Sequence, residues 1–128
     1  MKTLVLFDTN FFFLPHRYKI DVFNEIGSLV PEAHELATLS TVVSELEKLG
    51  LSGGEDGVAA RVALELLRRN SLRVIPAEGS ADESIIKYAA ENRSNVIVCT
   101  NDLGLKRALV KVGVPLVVLR GKNHISRL

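Results

Sequence analysis

Asn95-Val96-Ile97-Val98-Cys99-Thr100-Asn101-Asp102 joins an apolar run to a polar tripeptide, and a helical pattern over 102–112 follows at once. An apolar run this short and without polar alternation predicts a parallel strand covered on both faces. Thr3-Leu4-Val5-Leu6-Phe7-Asp8-Thr9-Asn10 repeats the arrangement, with five strand residues, then an acid and two small polar groups. Outward from these two segments, further strands are predicted over 35–39, 72–75 and 116–119, and helices near 19–30, 41–50, 55–70, 81–92 and 102–112. Four rounds of strand–helix alternation predict an α/β fold, a three-layer α/β/α sandwich with a central, mostly parallel sheet of about five strands. Right-handed crossovers then bring the C-terminal ends of the strands to one edge of the sheet.

Local punctuation supports these boundaries. Ser40 is the expected N-cap of the helix over 41–50. Ser80 with Glu83 three residues on has the form of a capping box, which gives Glu83 a structural role. Gly113 followed by Pro115 is an ordinary helix stop. Ser52-Gly53-Gly54-Glu55-Asp56-Gly57 lacks the Gly-Lys-Ser/Thr ending of a phosphate-cradling loop, so a mobile helix connection is expected there.

The chain has 128 residues, which predicts one domain spanning 1–128. Charged residues make up 24% and hydrophobic residues 47%, the balance of a globular rather than a disordered chain. No apolar run approaches the roughly 20 residues that cross a bilayer, and the early charges of Lys2 and Asp8 do not suit a signal peptide. A soluble cytoplasmic domain with no membrane partner is expected. The single cysteine, Cys99, excludes an intrachain disulfide and a cysteine-built zinc site. Charge is unevenly spread. Residues 1–100 hold ten Lys/Arg against fourteen Asp/Glu, whereas 101–128 hold six basic residues against Asp102 alone. Such a stretch can steer a polyanion, although a solvated helix face and tail explain the pattern as well.

The acids fall at equivalent places. Asp8 ends the first strand, Glu45 lies just over one turn into the helix after the second, Asp82 opens the helix after the third, and Asp102 follows the fourth. All four belong to the rim where open α/β sheets bind ligands. Carboxylates gathered there raise one another's pKa unless a cation relieves the charge, and an all-oxygen donor set suits Mg²⁺ or Mn²⁺. Each acid also has a purely structural explanation. Asp8 can cap a turn, Asp82 and Asp102 can complement helix N-termini, and Glu45 can be a solvated glutamate like Glu47. Glu45 shares a face with Val42 and Leu49, which turns it slightly further inward than Glu47.

Asp8-Thr9-Asn10, the helix-borne Glu45, the helix-start Asp82 and Thr100-Asn101-Asp102 together resemble the PIN-domain nucleases, over a match running from Leu4 to about Arg120. Within that superfamily, Pro15-His16-Arg17-Tyr18-Lys19-Ile20-Asp21-Val22-Phe23 and Val117-Val118-Leu119-Arg120 are similar to the archaeal and eukaryotic branch of ribosomal-RNA-processing endonucleases. The resemblance implies a PIN-like fold and a metal-dependent endoribonuclease active in rRNA processing or RNA turnover. It implies one or two Mg²⁺ or Mn²⁺ ions held by the acidic set Asp8, Glu45, Asp82 and Asp102. Asp8 and Asp102 would be direct ligands, Glu45 a ligand or the group orienting water, and Asn10, Thr100 and Asn101 supporting polar groups. Arg17, Lys19, Lys106, Arg107, Arg120 and Lys122 would contact the RNA backbone, on single-stranded or structured rRNA, without reading sequence. Other partners it allows are a second copy of the chain, a ribosome-assembly factor or an antitoxin.

Several features are set aside. His16, His34 and His124 lack metal-ligand spacing. Phe11, Phe12 and Phe13 can stack on bases but are expected in the core, and Cys99 is expected to be a small core hydrophobe. A haloacid-dehalogenase-type hydrolase wants a second aspartate where Asn10 stands. A response-regulator receiver wants one closing the third strand, where Ile75-Pro76-Ala77 is found. A toxin of a toxin–antitoxin pair would share the acidic site, and an inactive RNA- or protein-binding scaffold would be expected to have lost some of its acids. Exposed apolar side chains on the helices over 19–30 and 41–50 are a candidate homodimer face.

Overall fold

The computed structural model describes residues 2–128. Six strands and six α-helices follow in the order β1 (Thr3–Phe7), a 3-10 helix (Thr9–Phe13), α1 (Leu14–Tyr18), α2 (Val22–Leu29), β2 (His34–Leu39), α3 (Ser40–Gly50), α4 (Gly54–Arg69), β3 (Arg73–Ile75), α5 (Ala81–Glu91), β4 (Val96–Cys99), α6 (Leu103–Lys111), β5 (Leu116–Arg120) and β6 (His124–Arg127). The sheet order is β3-β2-β1-β4-β5-β6, parallel except for β6. From β1 the chain moves to β2 and β3 on one side, whereas from β4 it moves to β5 on the other. With right-handed crossovers, the helices between β1 and β3 therefore cover one face, and α5 and α6 the other. The crevice between β1 and β4 is thus a topological switch point, the place where sheets of this kind bind ligands.

The strands are apolar on both sides because both sides are covered. Val5, Leu6, Phe7, Val98, Cys99 and Val117 are fully buried. Phe7 stacks on Phe23 at 5.4 Å between ring centroids and meets Phe11 edge-on at 5.4 Å, so the Phe11–Phe13 run belongs to the core. Cys99 is buried as expected, and burial pushes its thiol pKa far up.

The structure corrects five sequence-based expectations. The sheet has six strands, since His124–Arg127 pairs antiparallel to β5 instead of forming a basic tail. Only Ile125 of these four residues is buried, so the segment carries little strand signal of its own. Glu25 Oε1 accepts the Ile125 N–H at 3.1 Å, and Arg127 grips Glu32 through two hydrogen bonds of 2.8 and 2.9 Å. The helix expected over 19–30 begins at Val22, after a separate α1 that ends on Lys19 in the left-handed region (φ 57°). Ser40 opens α3 rather than capping it, because its hydroxyl is spent across the sheet edge on the Ala77 peptide. Residues 54–57 are no loose loop but the first turn of α4, held by Arg61 donating to Gly50 O at 2.8 Å and Ser52 O at 3.3 Å. The proposed homodimer face is mostly internal, since Val22, Ile26, Val42 and Leu46 all pack into the core. The Ser80 hydroxyl does accept the Glu83 N–H at 3.1 Å, and Gly113 ends α6 with φ 77°.

Candidate active site

Phe7 pairs with Cys99 in the β1–β4 register, so the next residues, Asp8 and Thr100, stand side by side at the rim. Both are buried. Asp8 Oδ1 accepts the Thr9 N–H at 2.7 Å, which caps the 3-10 helix, and Oδ2 accepts the Thr100 hydroxyl at 2.7 Å. Thr100 Oγ1 in turn accepts the Asp102 N–H at 3.1 Å, and Asn10 Oδ1 accepts the Asn101 N–H at 3.1 Å. The two motifs at 8–10 and 100–102 are thereby laced together. Asp102 caps α6 through Oδ1, which accepts the Leu105 N–H at 2.8 Å. The structural roles weighed from sequence for Asp8 and Asp102 are therefore real, and each is carried by one oxygen of the carboxylate.

The electrostatics link all four acids. Burial raises the Asp8 carboxyl to a pKa of about 6 despite the lowering effect of its hydrogen bonds to Thr100 and Thr9, and the charges of Asp82 and Asp102 push it the same way. Asp82, in the first turn of α5, is also raised, first by its partial burial and then by Asp102 and Glu45. Glu45 is exposed on α3 and is the glutamate whose charge reaches Asp82. Among the described residues no three His, Cys, Asp or Glu side chains lie close enough together to hold a metal ion between them.

The basic candidates divide. Arg120 and Lys122 flank Gly121 at the β5–β6 turn, at the same edge as Asp8, because β5 runs parallel to β1 and β4. Lys106 and Arg107 lie on α6 just past Asp102. These four take no part in the ion pairs formed among the described residues. Arg17, by contrast, donates to Asp56 Oδ1 at 2.7 Å and lies 4.7 Å above the Phe13 ring, so much of its charge is answered within the chain. Lys19 is exposed at the end of α1.

A groove beside the acids escaped the sequence reading. Ser40, Thr41, Ser44, Glu45 and Lys48 of α3 form one wall, and Ala77 to Ala81 the other. The signal was present, because positions 40, 41, 44, 45 and 48 recur at helical spacing on one face. It was masked because serine and lysine read as ordinary solvent residues.

The Thr100 hydroxyl bridges Asp8 and the Asp102 backbone, so Thr100→Val should raise the Asp8 pKa further and loosen the Asp102 turn at almost constant volume. Supporting groups of this kind cost about 10–100-fold in activity or metal affinity when lost. Cleavage assays on a variant that melts cooperatively would test this, and wild-type rates would limit Thr100 to a packing role.

Comparison with known proteins shows the family. A family model described as a PIN like domain matches residues 5–122. Ribonuclease VapC4 of Methanocaldococcus jannaschii is 37% identical over 122 residues, covering 93% of this chain and 92% of that protein. The rRNA-processing protein FCF1 of Saccharomyces cerevisiae is 30% identical over 126 residues, covering 94% of this chain but only 62% of FCF1. The solved structure of the PIN domain endonuclease Utp24 superposes with a TM-score of 0.80 at 26% identity, covering 98% of this chain and 92% of that one. With its switch-point carboxylates at the β1–β4 crevice, the chain belongs to the PIN-like domain family.

Proposed function

We propose that the protein is a divalent-metal-dependent endoribonuclease that hydrolyses RNA phosphodiesters in rRNA processing or RNA turnover. The observation that carries this reading is the pair Asp8 and Asp102, laced through the Thr100 hydroxyl at the β1–β4 switch point, with Asp82 close enough for its charge to act on Asp8. The likeness to a ribonuclease, an rRNA-processing protein and a PIN domain endonuclease supports it.

The donor set suits Mg²⁺ or Mn²⁺. It is all oxygen, and Mg²⁺ keeps several waters while taking only one or two carboxylates, so an open rim is a suitable host. Asp8 and Asp102 would hold the ion, with Asp82 and Glu45 adding charge or orienting water. A cation held there would supply a water of lowered pKa and charge to stabilise the leaving oxygen of an in-line displacement. The protein does the positioning. Thr100 and the Thr9 amide fix the Asp8 carboxylate, and the α6 cap fixes Asp102. Arg120 and Lys122 place the RNA backbone at the same edge. No helix is long and apolar enough to cross a membrane among the described residues.

The test is cleavage of a labelled single-stranded RNA by purified protein in Mn²⁺, Mg²⁺ or EDTA. Cleavage only with metal, lost in Asp102→Asn, is expected; Asn caps helices as well as Asp, so that variant should keep its fold. RNA affinity should fall as salt rises, with a log–log slope of about −0.7 per phosphate neutralised on a single strand. A flat salt response would remove the basic β5–β6 turn from the interface.

A further inference from the structure

We propose that the groove between α3 and the turn after β3 is a subsite for a ribonucleotide flanking the scissile bond, with Lys48 holding that nucleotide's phosphate. The proposal rests on the endoribonuclease reading above. The groove encloses about 550 Å³, within the range of small-molecule sites. Its walls are tied together by groups that are then no longer available. Ser40 Oγ donates to Ala77 O at 3.1 Å and accepts from Ala77 N at 2.9 Å. Ser84 Oγ turns its hydrogen to the carbonyls of Ser80 and Ala81 at 2.8 and 3.0 Å, so Thr41 Oγ1, 2.8 Å away, is the donor in the Thr41–Ser84 contact. Besides the Glu45 and Glu78 carboxylates, three side-chain groups are left to meet a ligand. They are the Ser44 hydroxyl, the Ser80 hydroxyl hydrogen, whose oxygen is already capping Glu83, and the Lys48 ammonium. Lys48 is the one cation lining the groove and takes no part in the ion pairs among the described residues.

Two hydroxyls, one ammonium and two carboxylates that can accept from sugar hydroxyls, with no apolar anchor larger than alanine, fit a ribose with its phosphate better than an apolar peptide side chain. Hydroxyls bonding to the 2′-OH are how a protein distinguishes RNA from DNA at a given nucleotide. The position fits as well. Glu45 is a wall of the groove and also part of the acidic rim. In the order β3-β2-β1-β4-β5-β6, the groove lies over the ends of β2 and β3, Asp8 and Asp102 over β1 and β4, and the Arg120–Lys122 turn beyond them. Neighbouring strands lie about 4.8 Å apart, so the groove is about 10 Å from the carboxylates along the rim. A single RNA strand crossing this edge meets Lys48, the acids and the basic turn in succession.

The experiment is a heteronuclear NMR titration of the whole chain in EDTA with a single-stranded hexaribonucleotide, alongside affinity measurements over a range of salt. Amide shifts at Ser44, Lys48, Gly79 and Ser80 are expected together with those of the Gly121 turn. Lys48→Ala should weaken binding and make the salt slope shallower by about 0.7. Arg69→Ala, which removes a charge already paired with Glu65 at the other end of α4, should leave the slope unchanged. Shifts confined to the Gly121 turn, or an unaltered slope in Lys48→Ala, would overturn the subsite. Cleavage by the wild type in Mn²⁺, scored in parallel, separates the two claims. Cleavage without groove shifts overturns the subsite alone, and groove shifts without cleavage overturn the ribonuclease reading on which it rests.

Discussion

Asp8→Asn is expected to abolish metal-dependent RNA cleavage and, at the same time, to make the metal-free protein more stable above pH 6. The activity loss should exceed the roughly 100-fold that supporting groups around a metal cost, because the carboxylate itself is removed. The stability gain follows from the sign of the pKa shift. The folded-state pKa of Asp8 is raised from 3.8 to about 6, so the native state holds its proton more tightly than the unfolded chain does. The stabilisation of the protonated form is fully present below about pH 4 and is lost as pH rises through about 6. A shift of this size corresponds to roughly 2–3 kcal/mol. Asparagine keeps the volume and carries no charge, so its advantage should be near zero at pH 4 and reach its full size by pH 7. Manganese should narrow or reverse the gap, since a ligand at a hundred times its Kd stabilises the native state by about 2.7 kcal/mol and the variant forgoes this. Thermal melts of both proteins in EDTA and in Mn²⁺, at pH 4.5 and 7.5, contain the whole prediction. If the variant melts lower than wild type in EDTA at pH 7.5, Asp8 is principally a turn cap and the strained carboxylate is refuted.

The second large effect lies away from the acids. A Cβ at Gly57 would overlap the backbone carbonyl oxygen of Ser52 and stand 2.8 Å from its carbonyl carbon. Neither is a flexible side-chain end that can swing aside. Gly57→Ala must therefore open the α3–α4 turn, disturb the Arg61 bonds to Gly50 O and Ser52 O, and displace the helix start that carries Glu55 and Asp56. Those two acids bind His16 at 3.1 Å and Arg17 at 2.7 Å, so the strain should spread to α1. Overpacking of this kind costs about 1–3 kcal/mol, although alanine is the better helix former by about 1 kcal/mol. Gly53→Ala is the control, for its Cβ would meet nothing within 4 Å and its φ is an ordinary −81°. Urea midpoints at constant m would show a loss for position 57 and little change for position 53. Equal midpoints would mean that the turn relaxes freely.

Much of the rim was legible before any coordinates, and the reason is local. Asp8 and Asp102 follow short strands that are apolar on both faces, so their distance from the strand ends is set by the chain itself. The capping of α5 by Ser80 and the glycine stop at Gly113 were legible for the same reason, since caps involve neighbours in sequence. Segments without a period of their own were not. Phe11-Phe12-Phe13 forms a 3-10 turn whose Phe11 and Phe12 rings pack on Phe7, and β6 is a strand only because β5 and Glu25 supply partners for its backbone.

Local patterns along the chain were enough to determine the α/β class, the parallel strands and the presence of acids after them. Tertiary structure decided which acids interact. Glu45 and Glu47 are both exposed on the same helix, and only the placement of α3 beside α5 brings the charge of Glu45 to Asp82. The same placement spends the Ser40 hydroxyl on Ala77 and leaves Lys48 facing a groove. Helical periodicity fixes direction around one axis, whereas the distance between two helices depends on how their buried faces fill the space between them, a property that no single segment contains.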